Sequence, residues 1–476
     1  MRKRLLILFI PLSLLFLIFI GPWPIDTTHF ADTEYSRSTL RGINDSAPKI
    51  SRGALKAGMS VMDITPPPRV PLGGYSARDP KENEGVLTPV YVKALSFANG
   101  KETFTYISAD ILLPLEDYVN AVVEGTHLPR ANLFFTSSHT HSGPGGYQEG
   151  LVAQMSLGDF HPHYFQTLVQ QTIHAVNLSR SRLKPAQLSY QRMRLSKEQV
   201  AHFVYDQLNK GPNGYPTLHA LQLQELNSKR DIATLITFSA HPTFLGRVNK
   251  KIHGDYPSLL VSKLELSLGH PVIFSIGAVG GSLPMGLGKP PMDTVDVQLA
   301  QMESMSNEFH DILFNSLNIR PRAVNDKVKG DTFQTEIQWQ ASSLEIGSLV
   351  SEVQLPSPTY RLTDQWRLSP LMINGLFHSN TSYLHALRLG RIMFIGFPAD
   401  TSGELAKNLE DWAAKQPIYP WVTSFNGDYI GYLSAQKRYS EKHYTVRDVN
   451  LFGPWGGDYL TEVAKEISLK VSQNPL

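Results

Sequence analysis

Residues 134–150 read FFTSSHTHSGPGGYQEG, and this stretch sets the architecture that the rest of the chain has to satisfy. Leu133, Phe134 and Phe135 have the apolar character of a strand running out of the core, whereas Gly143, Pro144, Gly145 and Gly146 form a loop. A buried strand therefore ends at a glycine loop, with His139 and His141 at the junction. Side chains two apart on an extended chain point the same way, so both imidazoles reach one pocket at different depths. Histidines so placed are either satisfied or solvated structural groups, or a metal ligand beside a second catalytic group. The glycines beyond them let backbone and ligand approach closely.

Segments rich in Val, Ile, Phe and Tyr recur outward from this point, at 91–97, 103–110, 186–193, 219–226, 232–240, 271–279, 332–339 and 390–397, and predict strands. Asn99-Gly100 between the first two is the residue pair a tight hairpin prefers. Helical periodicity covers 163–183, 296–316 and 402–414. Strands outnumber helices, and hairpins mix with strand–helix connections. The expected class is α/β (mixed α+β), a large mixed β-sheet system with flanking helices forming a single catalytic domain over 56–476.

The chain has 476 residues, 44 basic and 42 acidic, and a formal charge of +2, which leaves no electrostatic footprint for nucleic acid. It contains no cysteine, so any metal here is held by nitrogen and oxygen. Met1-Arg2-Lys3-Arg4 precedes a run from Leu5 to Ile20 interrupted only by Pro11 and Ser13, without an A-x-A-like cleavage site after it. Residues 1–23 read as an export signal or anchor, the body lying outside the cytoplasm, periplasmic or extracellular. Cleavage of that segment would instead release the protein. Residues 24–55 are polar and weakly patterned and read as a linker.

Four other places carry candidate chemistry. In ATLITFSAHPTFLG a buried strand delivers His241 at its end, repeating the design of His139. In FSIGAVGGSLPMG a strand opens into a glycine loop carrying Ser282, outside any nucleophile-elbow or phosphate-loop pattern, so a turn or substrate-contacting serine fits best. In RIMFIGFPADTSGELAKNLEDW the strand ends at Asp400 before a helix; Asp400 or Thr401 is either that helix's N-cap or, for Asp400, an oxygen ligand. FNGDYIGYLSAQKRYSEKHYTVRD holds Tyr429, Tyr432, Tyr439 and Tyr444, phenols that are either packing groups or, near a cation, ligands and oxyanion donors. No H-E-x-x-H is present, which disfavours a zincin-type protease.

With these residues in hand, the chain resembles the neutral, non-lysosomal ceramidases, zinc amidases that cleave the N-acyl bond of ceramide. The resemblance is most specific at SSHTHSGPGG and extends to GMSVMDITPPPRVPLGGYS, FSAHPTFLG, AVGGSLP, FPADTS and GYLSAQKRYSEKHY, about residues 57–459. It implies one catalytic Zn²⁺ on His139, His241, Asp400 and Tyr432, His141 and Tyr444 at the scissile bond, and Ser282 against the substrate. It further implies a lipid amide as substrate and a membrane as the surface where that substrate is met. A second, structural divalent cation has candidate ligands in Asp63, Asp110 and Asp255, each of which also reads as a turn cap.

The chain departs from that family's pattern at four places. Asp400 stands where the characterised ceramidases carry a glutamate, and Gly280 where an aspartate is usual. The stretch EQVAHFVYD, residues 198–206, lacks an Asn-Arg pair found between the histidine loops, and after LFGPWGGDYL an immunoglobulin-like domain is expected to be missing. The lost arginine keeps open a related metal-dependent hydrolase of another amide or ester. A non-catalytic, membrane-tethered lipid-binding protein is the remaining alternative.

Overall fold

The computed structural model describes residues 2–79, 81–211, 214–285, 294–318, 333–376 and 380–472. Among them, nine strands form one sheet and five form another. The large sheet runs in the order Val272–Ile276, Asp231–Phe238, Thr217–Glu225, Lys184–Leu195, Lys56–Asp63, Tyr91–Asn99, Glu102–Ala109 and Leu133–Ser137, with Phe333–Ala341 added beside Lys184–Leu195. Its first pair and its last pair are parallel. The smaller sheet runs Tyr419–Thr423, Ile392–Gly396, Thr381–Leu389, Ser343–Gln354 and Lys49–Ala54. The expected mixed α/β class is the one observed, and the strand predicted over 332–339 starts at Phe333 within the described residues.

The sheets pack face to face with helices outside both, giving four layers. Between the sheets lie Tyr106, Phe134, Phe394 and Trp421, all fully buried. Phe134 and Phe394 are therefore strand residues with an aromatic partner across the layer, their ring centroids 5.9 Å apart. The helices Glu116–Thr126, Pro162–Ser181, Asp255–Leu268 and Val295–Asn318 cover the outer face of the large sheet. Glu34–Asp45, Gly403–Ala413 and Gly456–Ser472 cover the smaller one. The helix predicted over 163–183 owes its period to Tyr164, Leu168, Val169, Thr172, Ala175, Val176 and Ser179, the stripe it buries.

The large sheet coils until its two edge strands meet. Ser108 in Glu102–Ala109 donates to the Phe274 carbonyl at 2.6 Å, and Tyr106 hydrogen-bonds Ser275 at 2.6 Å. Strands far apart in the sheet order thus lie side by side with their carboxyl ends together. That closure brings the loops after Leu133–Ser137 and Asp231–Phe238 to one place, as no linear strand order could.

Residues 24–55, expected as a linker, fold instead. Thr33 caps the helix Glu34–Asp45, which buries Ser36, Thr39 and Ile43, and Lys49–Ala54 pairs with Ser343–Gln354 as an edge strand of the smaller sheet. The polarity that suggested a linker is that of a helix and an edge strand with one wet face. Asn99-Gly100 also differs in detail: the hairpin loop is Gly100-Lys101, with Gly100 at φ 64°, while Asn99 pairs with Glu102. Its amide is spent between the sheets, donating to Leu344 O at 2.6 Å and Ser51 O at 3.1 Å. The apolar N-terminal run forms the helix Arg2–Phe19. No helix among the described residues is long and apolar enough to cross a membrane.

Candidate metal centre

Three strands and one loop deliver the candidate side chains. His139 and His141 follow Leu133–Ser137, His241 follows Asp231–Phe238, and Asp400 follows Ile392–Gly396 of the other sheet. Asp400 and Thr401 then pair in parallel with Tyr432 and Leu433, which sets the phenol beside the carboxylate. The N-cap reading of Asp400 and Thr401 is overturned: the helix Gly403–Ala413 has Ser402 at its cap, and Asp400 is buried and turned towards His241.

The donor atoms converge. His139 Nε2 and His141 Nε2 stand 3.3 Å apart, His241 Nε2 is 3.3 Å from Asp400 Oδ1, and the Tyr432 hydroxyl is 3.5 Å from His241 Nε2. Ligand atoms of the three histidines all lie within 4.8 Å of one another, a group that could hold a metal ion. Two atoms at about 2.0 Å from a tetrahedral ion are roughly 3.3 Å apart, so these separations match the edges of such a coordination shell.

The tautomers agree with that reading. His139 Nδ1 donates to the Leu112 carbonyl at 2.7 Å and His241 Nδ1 to the Ser282 carbonyl at 2.9 Å. Each Nε2 is left with its lone pair turned inward, as a ligating histidine held from behind requires. Asp400 Oδ1 and His141 Nδ1 are buried without a hydrogen-bond partner, so the site leaves polar capacity that a cation would use. Burial, then the neighbouring imidazoles, push the pKa of His139 and His141 well below the usual range, keeping both neutral. Burial opposes a charge on His241 too, but Asp400 outweighs it and raises that pKa. Tyr432 is pushed well up, by burial first and Asp400 second. The donor set fits a nitrogen- and oxygen-ligated divalent ion: three imidazoles, a buried carboxylate and a phenol at its edge.

Ser282 is in the site in a way its loop did not announce. Its carbonyl accepts both the backbone N–H of His241, at 3.0 Å, and the Nδ1–H of the same residue. Gly280 is explained by the same crossing. A Cβ there would meet the Asp400 carbonyl at 2.7 Å and the Ser402 nitrogen at 2.9 Å. Tyr444 contacts Tyr432, with ring centroids 6.2 Å apart, and remains partly exposed. Tyr439 is elsewhere, under the Arg361 guanidinium at 4.9 Å. Asp63, Asp110 and Asp255 are separate: Asp63 accepts from Thr65 N, Asp110 from Tyr91 N, and Asp255 from Phe244, Leu245 and Tyr256 N. Only the Asp63 bond is that of a turn cap; Asp110 and Asp255 tie their segments to distant backbone.

Several residues of the site were not singled out by the sequence. Phe425 stacks on His139; Tyr429, one of the phenols the sequence did offer, reaches Asp400 Oδ2 at 3.5 Å. Tyr75 flanks His141, and buried Arg78 donates to the His141 carbonyl at 2.7 Å. The Gly73-Gly74-Tyr75 run was the available signal: a Cβ on Gly74 would meet His141 Cα at 2.8 Å. The stretch EQVAHFVYD forms the helix Lys197–Phe203 and the strand Val204–Asp206, whose Asp206 pairs with Ser282. Gln207 follows, its amide at the Tyr444 hydroxyl and its Oε1 buried without a partner.

Residues 55–267, which hold all three histidines, match the family model for neutral/alkaline non-lysosomal ceramidase, N-terminal. The chain thus resembles that family in the segment carrying the histidine loops, while Ser282, Asp400, Tyr432 and Tyr444 lie beyond it. Among curated proteins, the neutral ceramidase of Mycobacterium tuberculosis (strain ATCC 25618 / H37Rv) is 25% identical over 146 residues. That match spans 28% of this chain and only 23% of the relative's length. The crystal structure of neutral ceramidase from Pseudomonas aeruginosa is similar over 88% of this chain and 75% of its own, with TM-score 0.69 and 15% identity. A ceramidase complexed with C2 gives 0.67 and 15%, over 88% and 74%. At these identities the likeness is one of fold.

Proposed function

We propose that this chain is a zinc-dependent amidohydrolase that cleaves the N-acyl amide bond of ceramide or a ceramide-like lipid to a fatty acid and a sphingoid base. The observation that carries the reading is the convergence of two inward Nε2 lone pairs, an unpartnered Asp400 oxygen and the Tyr432 hydroxyl in a fold shared with neutral ceramidase. His139, His241, Asp400 and Tyr432 hold the ion. The body works outside the cytoplasm, tied to a membrane through the N-terminal helix.

Zinc, when bound, supplies Lewis-acid chemistry, polarising a carbonyl and bringing the pKa of water down to about 7. The chain's own groups do the rest. Tyr444 donates its hydroxyl to the amide oxygen as that atom gains charge in the transition state. As a water oxygen forms the new C–O bond, His141 takes the proton that this water gives up and passes it to the departing nitrogen while the C–N bond breaks. Ser282 lines the substrate side, and its carbonyl keeps His241 in its ligating tautomer. Gln207 Oε1 offers an acceptor for a substrate N–H or hydroxyl. The lack of an arginine in EQVAHFVYD, whose strand end Asp206 lies opposite Ser282, is what favours the second reading, a hydrolase of another amide or an ester.

The test is release of labelled fatty acid from N-acyl-sphingosine with and without a zinc chelator, beside His241→Ala. Chelator-sensitive release that the variant loses is expected. Bound zinc without release would sink the ceramide substrate and send the search to other amides and esters. A chain that neither binds zinc nor releases fatty acid would overturn the whole reading.

A further inference from the structure

The N-terminal helix is fixed to the body at a place that matters for the site. Ser369 donates from Oγ to the Ile18 carbonyl at 2.6 Å and from its backbone to the Ile20 carbonyl at 2.9 Å. Trp23 and Pro24 then pair with Trp366 and Arg367, and Arg367 Nε donates to the Pro24 carbonyl at 3.1 Å. The same Arg367 donates to Thr359 Oγ1 at 3.0 Å, the Thr359 N–H donates to the Leu451 carbonyl, and Arg361 donates to the Glu441 carbonyl. A strap over 357–369 therefore joins the helix to the segment that carries Tyr432 and Tyr444.

The helix side of this junction is apolar all round, and the strap beside it exposes Thr363, Asp364 and Gln365 between two apolar residues, Leu362 and Trp366. Leu12 and each residue from Leu14 to Ile20 is exposed, and at 100° per residue seven consecutive positions circle the helix completely. Leu362 (47% exposed), Trp366 (44%) and Leu371 (52%) continue the surface onto the body. A protein groove covers one stripe of a helix; a helix apolar all round calls for a medium that surrounds it. Arg2-Lys3-Arg4, with no acidic residue before Asp26, matches anionic headgroups, and the two paired strands each carry a tryptophan, Trp23 and Trp366, a residue type suited to the interface.

We propose that an anionic lipid bilayer covers this surface as far as Leu362, Trp366 and Leu371, so that the body docks with the Tyr444 side against the membrane. The strap then sets the orientation of the site mouth relative to the bilayer, and the protein does not hang from its helix as from a tether. This deepens the lipid-substrate reading, but it is tested by binding alone, so the failure of one is distinguishable from the failure of the other.

The experiment uses the full chain with vesicles of phosphatidylcholine containing a minority of phosphatidylglycerol, some chains brominated. Quenching that Trp366→Phe removes is expected, showing that Trp366 meets the acyl region. Leu362→Asp with Leu371→Asp should weaken vesicle binding about tenfold or more, since each replaces buried apolar area by a charge; an unchanged melting temperature is the control for folding. Vesicle binding with no Trp366-dependent quenching would overturn the docking and leave a tethered body. Trp366 protected without lipid, in a concentration-dependent dimer, would overturn it in favour of a second copy.

Discussion

His139 and Phe425 stack ring on ring with centroids 3.9 Å apart and an interplanar angle of 17°, and both hold left-handed backbone, at φ 59° and 60°. Non-glycine residues enter that region at a cost of order 1–3 kcal/mol, so two of them in contact mark a place where packing overrides local preference. Phe425 keeps the His139 ring from turning away from His241. Phe425→Leu, which retains bulk and loses the flat face, should lower zinc affinity about 10–100-fold with the fold intact. Competition with a chromogenic chelator measures it, and unchanged affinity would show the stack to be packing only.

Asn426 next to it ties two layers together. Its Nδ2 donates to the Phe135 carbonyl at 2.6 Å, its Oδ1 accepts from Thr423 at 2.8 Å, and its backbone N–H donates to the Phe397 carbonyl at 2.8 Å. It thus bonds to the strand leading to His139 and to the one leading to Asp400. Asn426→Ala leaves a buried carbonyl and a hydroxyl unpaired and should cost roughly 2–4 kcal/mol. Denaturant unfolding monitored by tryptophan fluorescence reads that loss.

Gly280→Asp restores the residue usual in the related family, yet here it should harm. The added Cβ would press on the Asp400 carbonyl and the Ser402 nitrogen, both backbone atoms. The expected cost is about 1–3 kcal/mol of stability together with weaker zinc binding, because Asp400 is the residue displaced. A melting curve equal to the parent's would mean the crossing can open without penalty.

The roles of the two unlike histidines separate by metal content. His241→Ala should abolish zinc binding, whereas His141→Gln and Tyr444→Phe should retain zinc and lower turnover by ~10²–10³. Elemental analysis of the purified variants decides. Loss of zinc in His141→Gln would make His141 a ligand, which its 3.3 Å separation from His139 also allows.

Acid should weaken the fold through His385. This imidazole is buried between the layers, hydrogen-bonded to Ser348 at 2.8 Å, and burial, with Arg130 nearby, pushes its pKa down to about 3. Below its ordinary value of 6.5 the unfolded chain takes up a proton that the folded chain refuses, so stability falls from there down to about pH 3. From this group alone the loss between pH 7 and pH 5 is about 2 kcal/mol. His385→Gln should flatten that part of the stability profile, as read from urea midpoints at the two pH values.

Much of this protein was legible in its residues. The apolar runs that end at His139, His241 and Asp400 are strands because each is buried on both faces, and a strand that must surface ends in a polar or glycine-rich loop. The absence of cysteine fixed the ligand type, and the spacing of residues such as Leu168, Ala175 and Val176 fixed the long helix. Three things waited for the tertiary structure. That the loops meet depends on the large sheet coiling until Ser108 reaches Phe274, a contact between positions 166 residues apart that no local pattern encodes. That Asp400 faces His241 instead of capping its helix depends on the pairing with Tyr432, across the boundary between sheets. And the polar stretch 24–55 became a helix and an edge strand because Ser343–Gln354 offered an open edge and Gly456–Ser472 a surface to lie on. Sequence determines which side chains leave the core and with what chemistry; which of them meet is decided by the closure of the sheets.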